Sequence, residues 1–397
     1  MDKTNRKTLG IIAFLRKFIS VFFSLFFNIY ILKIVNNDIS FVMKYSLYFV
    51  IIQFVFEYLI LKIINSKNAK YIYRLSFPLL VLCTIFLIVF KDKIVSYIYL
   101  FKTLHALASV MYAAPYELAI IGSNNNSTMS NFLANLTILD AFATILTPIF
   151  SGFIIDKFSY NMLFILLSLE AIIIIIISFN IKDFTVNDKK LEIKKFLNLI
   201  KDKKQIKDIY KAMFYSRIST QGAITDLLPI ILFLRVGTEL NVGTYSSLFA
   251  VLSIISLKIL KLFNKKNIQK QFYPYLAIVI FLSSVILVYN SSFITLLIYY
   301  ILINTFGSVI ESDSCSAVYA VITEDNLIQY KKEHILLFNV YMVIGQVISY
   351  SLVYILYNYL YNVNILSISV CILMFFLIIA SIYLRITESY LYMKKER

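Results

Sequence analysis

Twelve apolar runs follow one another along the chain, and short polar stretches separate them. A helix needs ~20 apolar residues to cross the hydrocarbon core of a bilayer, and most of these runs approach or exceed that length. We therefore predict twelve transmembrane helices, called spans 1 to 12, at residues 11–33, 41–61, 75–90, 94–121, 130–155, 160–180, 209–234, 241–260, 273–289, 292–321, 334–358 and 363–384.

The composition supports a membrane protein. Hydrophobic residues make up 60% of the chain and charged residues 15%, whereas soluble proteins have ~25% charged residues. The mean hydropathy is +0.80. A soluble domain could not cover so much apolar surface, so the composition excludes the soluble enzymes and predicts an all-α membrane protein.

The net charge of +16 follows the predicted topology. If the N-terminus lies in the cytoplasm, only six Lys or Arg residues fall in outer loops or at outer helix ends. This bias agrees with the positive-inside rule. We therefore expect a multi-pass protein of the cytoplasmic membrane, with both termini in the cytoplasm. Because topology accounts for the charge, membrane lipids are expected partners and nucleic acid is not.

The longest polar segment, 182–208, divides the spans six and six. It predicts an N-terminal bundle at 1–181, a basic cytoplasmic linker at 182–208 and a C-terminal bundle at 209–397. Apolar residues among its lysines suit an amphipathic helix on an anionic inner leaflet. A basic linker that only fixes the topology fits the same residues equally well.

The two halves carry a weak internal repeat. Ile60 to Asn68 read ILKIINSKN, and Ile259 to Asn267 read ILKLFNKKN, with six of nine positions identical at an offset of 199. Other short matches share this offset. Because each copy has six helices, both copies have the same membrane orientation. The sequence therefore predicts two parallel six-helix repeats, related by an axis along the membrane normal.

The twelve spans, the basic central segment and the two parallel halves together resemble the major facilitator superfamily. The resemblance covers the whole chain. In span 5, Thr147-Pro148-Ile149-Phe150-Ser151-Gly152 keeps the Pro and last Gly of the family's Gly-Pro-x-x-Gly-Gly signature. The family's signature between spans 2 and 3 contains Gly and Asp. This chain reads LKIINSKNAK at that place and has neither residue. The resemblance implies a secondary transporter that works by alternating access, with spans 1, 4, 7 and 10 lining a central cavity.

Span 4 carries a polar stripe at steps of three and four residues, which places its members on one helix face. The stripe consists of Lys102, His105, Ser109, Tyr112 and Tyr116. Four of these are candidate substrate-binding residues: Lys102, His105, Tyr112 and Tyr116. In span 10, Glu311 belongs to the corresponding stripe at the 199-residue offset, so we expect Glu311 to approach the span 4 stripe.

Span 7 supplies further candidates. Arg217 and Gln221 share one helix face as substrate-binding residues, and Asp226 lies on the opposite face. Asp226, Glu311 and, in span 5, Asp140 are the candidate proton-coupling residues, because intramembrane carboxylates are costly and are kept for function or pairing. For Asp140, pairing with a cation from the other half and proton transfer remain open. Few glycines and prolines argue against unwound helices, which favours protons over sodium.

The functional prediction is a proton-coupled secondary transporter of a small organic solute, with efflux as the family's common assignment. The chain has no GxxxxGK[ST], HExxH or GxSxG motif, so an enzyme is not expected. Three cysteines without ligand spacing and only two histidines give no reason to expect a metal or cofactor. We expect a monomer. The alternatives are a transporter-like sensor, and a membrane-embedded lipid-modifying enzyme that uses His105 as a base.

Overall fold

The computed structural model describes residues 3–122, 126–182, 184, 186, 189–263, 269–311, 314, 327–359 and 364–393. All regular structure in these ranges is helical. The α-helices are α1 (Lys3–Leu25), α2 (Phe27–Ile34), α3 (Ile39–Ile63), α4 (Ala69–Phe90), α5 (Ile98–Gly122), α6 (Asn126–Lys157), α7 (Tyr160–Ser178), α8 (Ile193–Ile200), α9 (Lys204–Ser219), α10 (Ala223–Val236), α11 (Glu239–Phe263), α12 (Gln269–Tyr289), α13 (Phe293–Leu302), α14 (Lys331–Tyr359) and α15 (Ile365–Met393).

These helices confirm the prediction of a multi-pass helical membrane protein. Within the described ranges, ten helical stretches are long and apolar enough to cross a bilayer, and one of them, 69–119, contains both α4 and α5. Each predicted span coincides with one helix or with two consecutive ones: α1 and α2 form span 1, and α9 and α10 form span 7. The last part of span 10, beyond residue 314, lies outside the described residues.

The chain forms two compact units. The first comprises Met1–Leu191 and Val236–Ser247, and the second comprises Glu192–Arg235 and Leu248–Arg397. The first division falls inside the linker predicted at 182–208. The segment from Val236 to Ser247, at the start of α11, joins the first unit although the sequence places it in the C-terminal half. The two-bundle division at 1–181 and 209–397 stays a prediction.

Close packing explains why the start of α11 belongs to the first unit. The Ser247 hydroxyl donates to the Ile145 carbonyl of α6 at 2.5 Å. A Cβ on Gly152 would lie 2.5 Å from the Glu239 carbonyl oxygen, so the two helices touch backbone to backbone. Small residues allow this approach, as is common between membrane helices.

Part of the linker is helical. Residues Ile193–Ile200 form α8, and its Phe196 side chain is buried against the rings of Tyr330 and His334 in the second unit. The Glu192 amide at the start of α8 donates to the Glu333 carboxylate at 2.7 Å. One part of the apolar face of α8 therefore packs on protein. A helix that only lay on the membrane surface would not need this contact. Leu197 remains exposed.

Candidate functional site

In the first unit, α1 and α2 lie antiparallel to α5, in a matched register. The guanidinium of Arg16 lies over the ring of Tyr112, and eleven residues further along, Phe27 stacks on Phe101, with centroids 5.1 Å apart. The residue number rises by eleven from Arg16 to Phe27 and falls by eleven from Tyr112 to Phe101, as expected for antiparallel helices. The span 4 stripe therefore faces span 1, and the lining of a central cavity by these two spans stays a prediction.

Lys102 is held in an aromatic cage. Its Nζ lies 4.3 Å from the ring centroid of Phe27, 4.8 Å from that of Tyr45 and 5.0 Å from that of Phe49. The side chain is buried. Tyr45 is fixed in turn, because its hydroxyl donates to Asn28 at 2.6 Å. Cation–π attraction lowers the cost of a buried ammonium group in such surroundings.

His105 lies one turn further along α5, between aromatic rings. Its ring stacks on Phe23 with centroids 4.2 Å apart and on Phe49 at 5.2 Å. Its Nδ1 atom is buried and makes no hydrogen bond with any described residue. The flat, apolar surroundings suit contact with a planar group, and they contain no described carboxylate that would orient the imidazole as a base.

Tyr112 and Tyr116 belong to a second aromatic cluster. The two rings stack with centroids 5.4 Å apart, and Tyr112 also stacks on Tyr73 of α4 at 5.3 Å. The Cζ atom of Arg16 is also close to this ring, 3.9 Å from the Tyr112 centroid. Sequence reasoning overlooked Arg16, although a signal was present: it is a cation within the apolar run predicted as span 1.

Asp140 has a charged neighbour in its own unit. Lys17 of α1 is the cation that acts on the Asp140 carboxylate of α6, and α1 and α6 pack together. The two roles that the sequence left open for Asp140, pairing with a cation from the other half and proton transfer, both stay predictions.

In the second unit, span 7 is broken. The helix α9 ends at Ser219 and α10 begins at Ala223, so residues 220–222 are not helical. The small number of glycines and prolines argues against unwound helices, yet this short stretch of span 7 is not helical. Because the break interrupts the 100° rotation per residue, the assignment of Arg217 and Asp226 to opposite faces stays a prediction.

The break is fixed by three side chains on one face of α14. Gln346 donates through Nε2 to the Gln221 carbonyl at 3.0 Å. The Ser349 hydroxyl accepts the Ala223 amide proton at 2.9 Å. Tyr350 donates to Oδ2 of Asp226 at 2.9 Å. Backbone groups released within a membrane need such substitutes, since lipid offers none.

Arg217 and Glu311 lie near this break. Arg217 is in the last turn of α9, and its charge acts on the Glu311 carboxylate, which follows α13. A π-helical turn at Ile303–Gly307 directly follows α13 and precedes Glu311. The Asn304 carbonyl in that turn accepts from the Ser253 hydroxyl of α11 at 2.6 Å. Such turns often occur at functional sites in helices.

Comparison with known proteins adds the fold. No family model and no curated protein matches the chain. A bacterial homologue of the iron transporter ferroportin, in an inward-facing state, is 13% identical over 96% of this chain and 97% of its own, with a TM-score of 0.66. A bacterial homologue of the human lysosomal transporter Spinster, also inward-facing, is 11% identical over 98% of both chains, with a TM-score of 0.65. The chain therefore shares the fold of these two proteins.

A structure described as a bacterial metal transporter matches similarly, at 13% identity and a TM-score of 0.66 over 98% of this chain and 99% of its own. At such identities the likeness shows the fold and not the substrate. In this fold, the predicted site residues lie in two groups, one in each unit. The first group comprises Lys102, His105, Tyr112 and Tyr116. The expected approach of Glu311 to them stays a prediction.

Proposed function

We propose that this protein is a proton-coupled secondary transporter that moves a small organic solute across the cytoplasmic membrane by alternating access. It consists of two parallel six-helix bundles, and both termini are cytoplasmic. The observation that carries the proposal is the broken span 7 within a transporter fold, since discontinuous helices form substrate and ion sites in transporters. Efflux is the direction that the family resemblance favours.

The second unit supports the coupling part of the proposal. Asp226 and Glu311 are carboxylates in apolar helices, and each has a defined neighbour: Tyr350 for Asp226 and Arg217 for Glu311. A carboxylate in a membrane is costly unless it is paired, wetted or protonated. A cycle that protonates and releases Glu311 alternately frees and engages Arg217, which links proton movement to the region of the helix break.

Solute counterflow in proteoliposomes tests the transport function. Vesicles loaded with an unlabelled candidate solute take up the labelled solute transiently if the protein is a carrier. The candidates are small organic acids, amines and aromatic compounds. A protein that binds one of them in a thermal-shift titration but gives no counterflow is a sensor, and the proposal fails.

Glu311→Gln separates coupling from translocation. We expect the variant to retain counterflow but to lose accumulation driven by a pH gradient, because the amide cannot release a proton. Glu170→Gln, a carboxylate of α7 in the first unit, is the matched control and should keep both activities. Accumulation by Glu311→Gln with an unchanged pH dependence would leave Asp226 as the coupling residue. Replacing the pH gradient by a sodium gradient decides the ion.

A further inference from the structure

We propose that Arg16 binds an anionic group, a carboxylate or a phosphate, at a site in the first unit. The site lies between α1 and the tyrosine cluster formed by Tyr73, Tyr112 and Tyr116. The inference rests on the proposed function in that it identifies the chemistry of the solute. It adds a binding residue that neither the span 4 stripe nor the broken helix contains.

Arg16 is a permanent charge within span 1. It lies five residues from the predicted start of that span at residue 11, which is about 7–8 Å along the axis at ~1.5 Å per residue. Its Nε atom is buried and makes no hydrogen bond to any described residue. A guanidinium group cannot shed its proton in a protein, so the charge must be stabilised in some other way.

No described carboxylate supplies that stabilisation. Asp140 is the acidic residue of α6 that faces α1, and its cation is the adjacent Lys17. Glu117 lies on α5 and acts on the Tyr112 hydroxyl, but it forms no ion pair with Arg16 among the described side chains. The positive charge of Arg16 is therefore left for an external anion.

The stacking on Tyr112 determines what kind of anion fits. The Cζ atom of the guanidinium lies over the Tyr112 ring, 3.9 Å from its centroid. A guanidinium group carries its N–H donors in one plane as a fixed fork. A carboxylate or phosphate offers two oxygens at the matching spacing, and a bidentate pair results. The stacked rings of Tyr112 and Tyr116 add a flat apolar wall, which favours an anion attached to an aromatic or other apolar body.

Thermal-shift titration of the purified protein in detergent tests the proposal, with unfolding followed by far-ultraviolet circular dichroism. The probes are benzoate, phenyl phosphate, benzylamine and benzyl alcohol at constant ionic strength. We expect benzoate or phenyl phosphate to raise the apparent melting temperature in a concentration-dependent manner. The amine and the alcohol should not do so. A larger rise in apparent melting temperature with benzoate indicates a carboxylate site, and a larger rise with phenyl phosphate indicates a phosphate site.

Three variants assign the effect. Arg16→Gln should weaken anion binding about tenfold or more, because a charge-assisted pair is lost. Arg16→Lys should retain part of the binding, since it keeps the charge without the fork. Lys44→Gln removes an exposed cation of α3 and should bind like the wild type. An equal anion shift in Arg16→Gln and wild type overturns the proposal, as does a shift that all four probes share.

A measurement on the unaltered protein covers the case in which Arg16→Gln does not fold. Phenylglyoxal modifies arginine side chains, and mass spectrometry reads each site. We expect benzoate or phenyl phosphate to slow modification of Arg16 and to leave the exposed Arg235 unaffected. Unchanged modification of Arg16 at saturating probe overturns the proposal. Protection of Arg16 without counterflow would support the anion site and contradict the transport function. Counterflow without protection of Arg16 would support the transport function and contradict the anion site.

Discussion

Replacing Gly222 by alanine tests whether span 7 is broken. Gly222 is the last residue before α10, and it faces α14. A Cβ at this position would lie 2.5 Å from both the Cβ and the Oγ of Ser349, and 2.8 Å from the Arg217 carbonyl oxygen. Neither distance is compatible with an ordinary contact, so α14 or the broken segment has to move.

The sign of the effect separates the two conformations. In a continuous helix, glycine is ~1 kcal/mol less favourable than alanine, so Gly222→Ala would stabilise the protein. In the broken conformation, the added methyl group overpacks a buried contact, which costs about 1–3 kcal/mol. We therefore expect destabilisation.

Ser349→Ala provides the companion measurement. It leaves the buried Ala223 amide without its acceptor, which costs about 1–3 kcal/mol. The matched control is Ser369→Ala: Ser369 is equally buried, but its hydroxyl bonds only to the Ile365 carbonyl of its own helix, so its loss should cost little. The assay is reversible unfolding in mixed micelles. A Gly222→Ala protein that is more stable than the wild type refutes the break.

Two further changes test contacts within the first unit. Glu239 is buried and accepts from both Lys33 and, at 2.9 Å, the Tyr160 hydroxyl. Glu239→Gln should cost about 1 kcal/mol, because Lys33 is half-exposed and retains water, while Glu239→Leu should cost more by leaving the Tyr160 hydroxyl without its acceptor. Arg74 donates to three carbonyls at and just beyond the C-terminal end of α7, the shortest bond being 2.6 Å to Ile181. Arg74→Gln should lower the apparent melting temperature, as expected for loss of a cation at a helix C-terminus; an unchanged melting temperature would contradict this role.

The sequence by itself determined that the chain is a multi-pass helical membrane protein. The bilayer sets a minimum length for an apolar run and forces the backbone to bond internally, so long apolar runs become membrane-spanning helices whatever their neighbours are. Local spacing likewise sufficed for the span 4 stripe, because α5 is helical throughout and residues three or four apart share a face. Lys102, His105, Tyr112 and Tyr116 consequently lie together along α5.

Only the tertiary structure decided the features that depend on distant side chains. The break in span 7 is held by Gln346 and Ser349, more than 120 residues away in sequence, and helical periodicity cannot register such an interruption. The same limit applies to Asp140, whose cation is fixed by the packing of α6 on α1. Arg16 was visible in the sequence as a charge in an apolar run. Its place over Tyr112, and the lack of a described carboxylate to pair with it, emerged only when α1 and α5 were brought face to face.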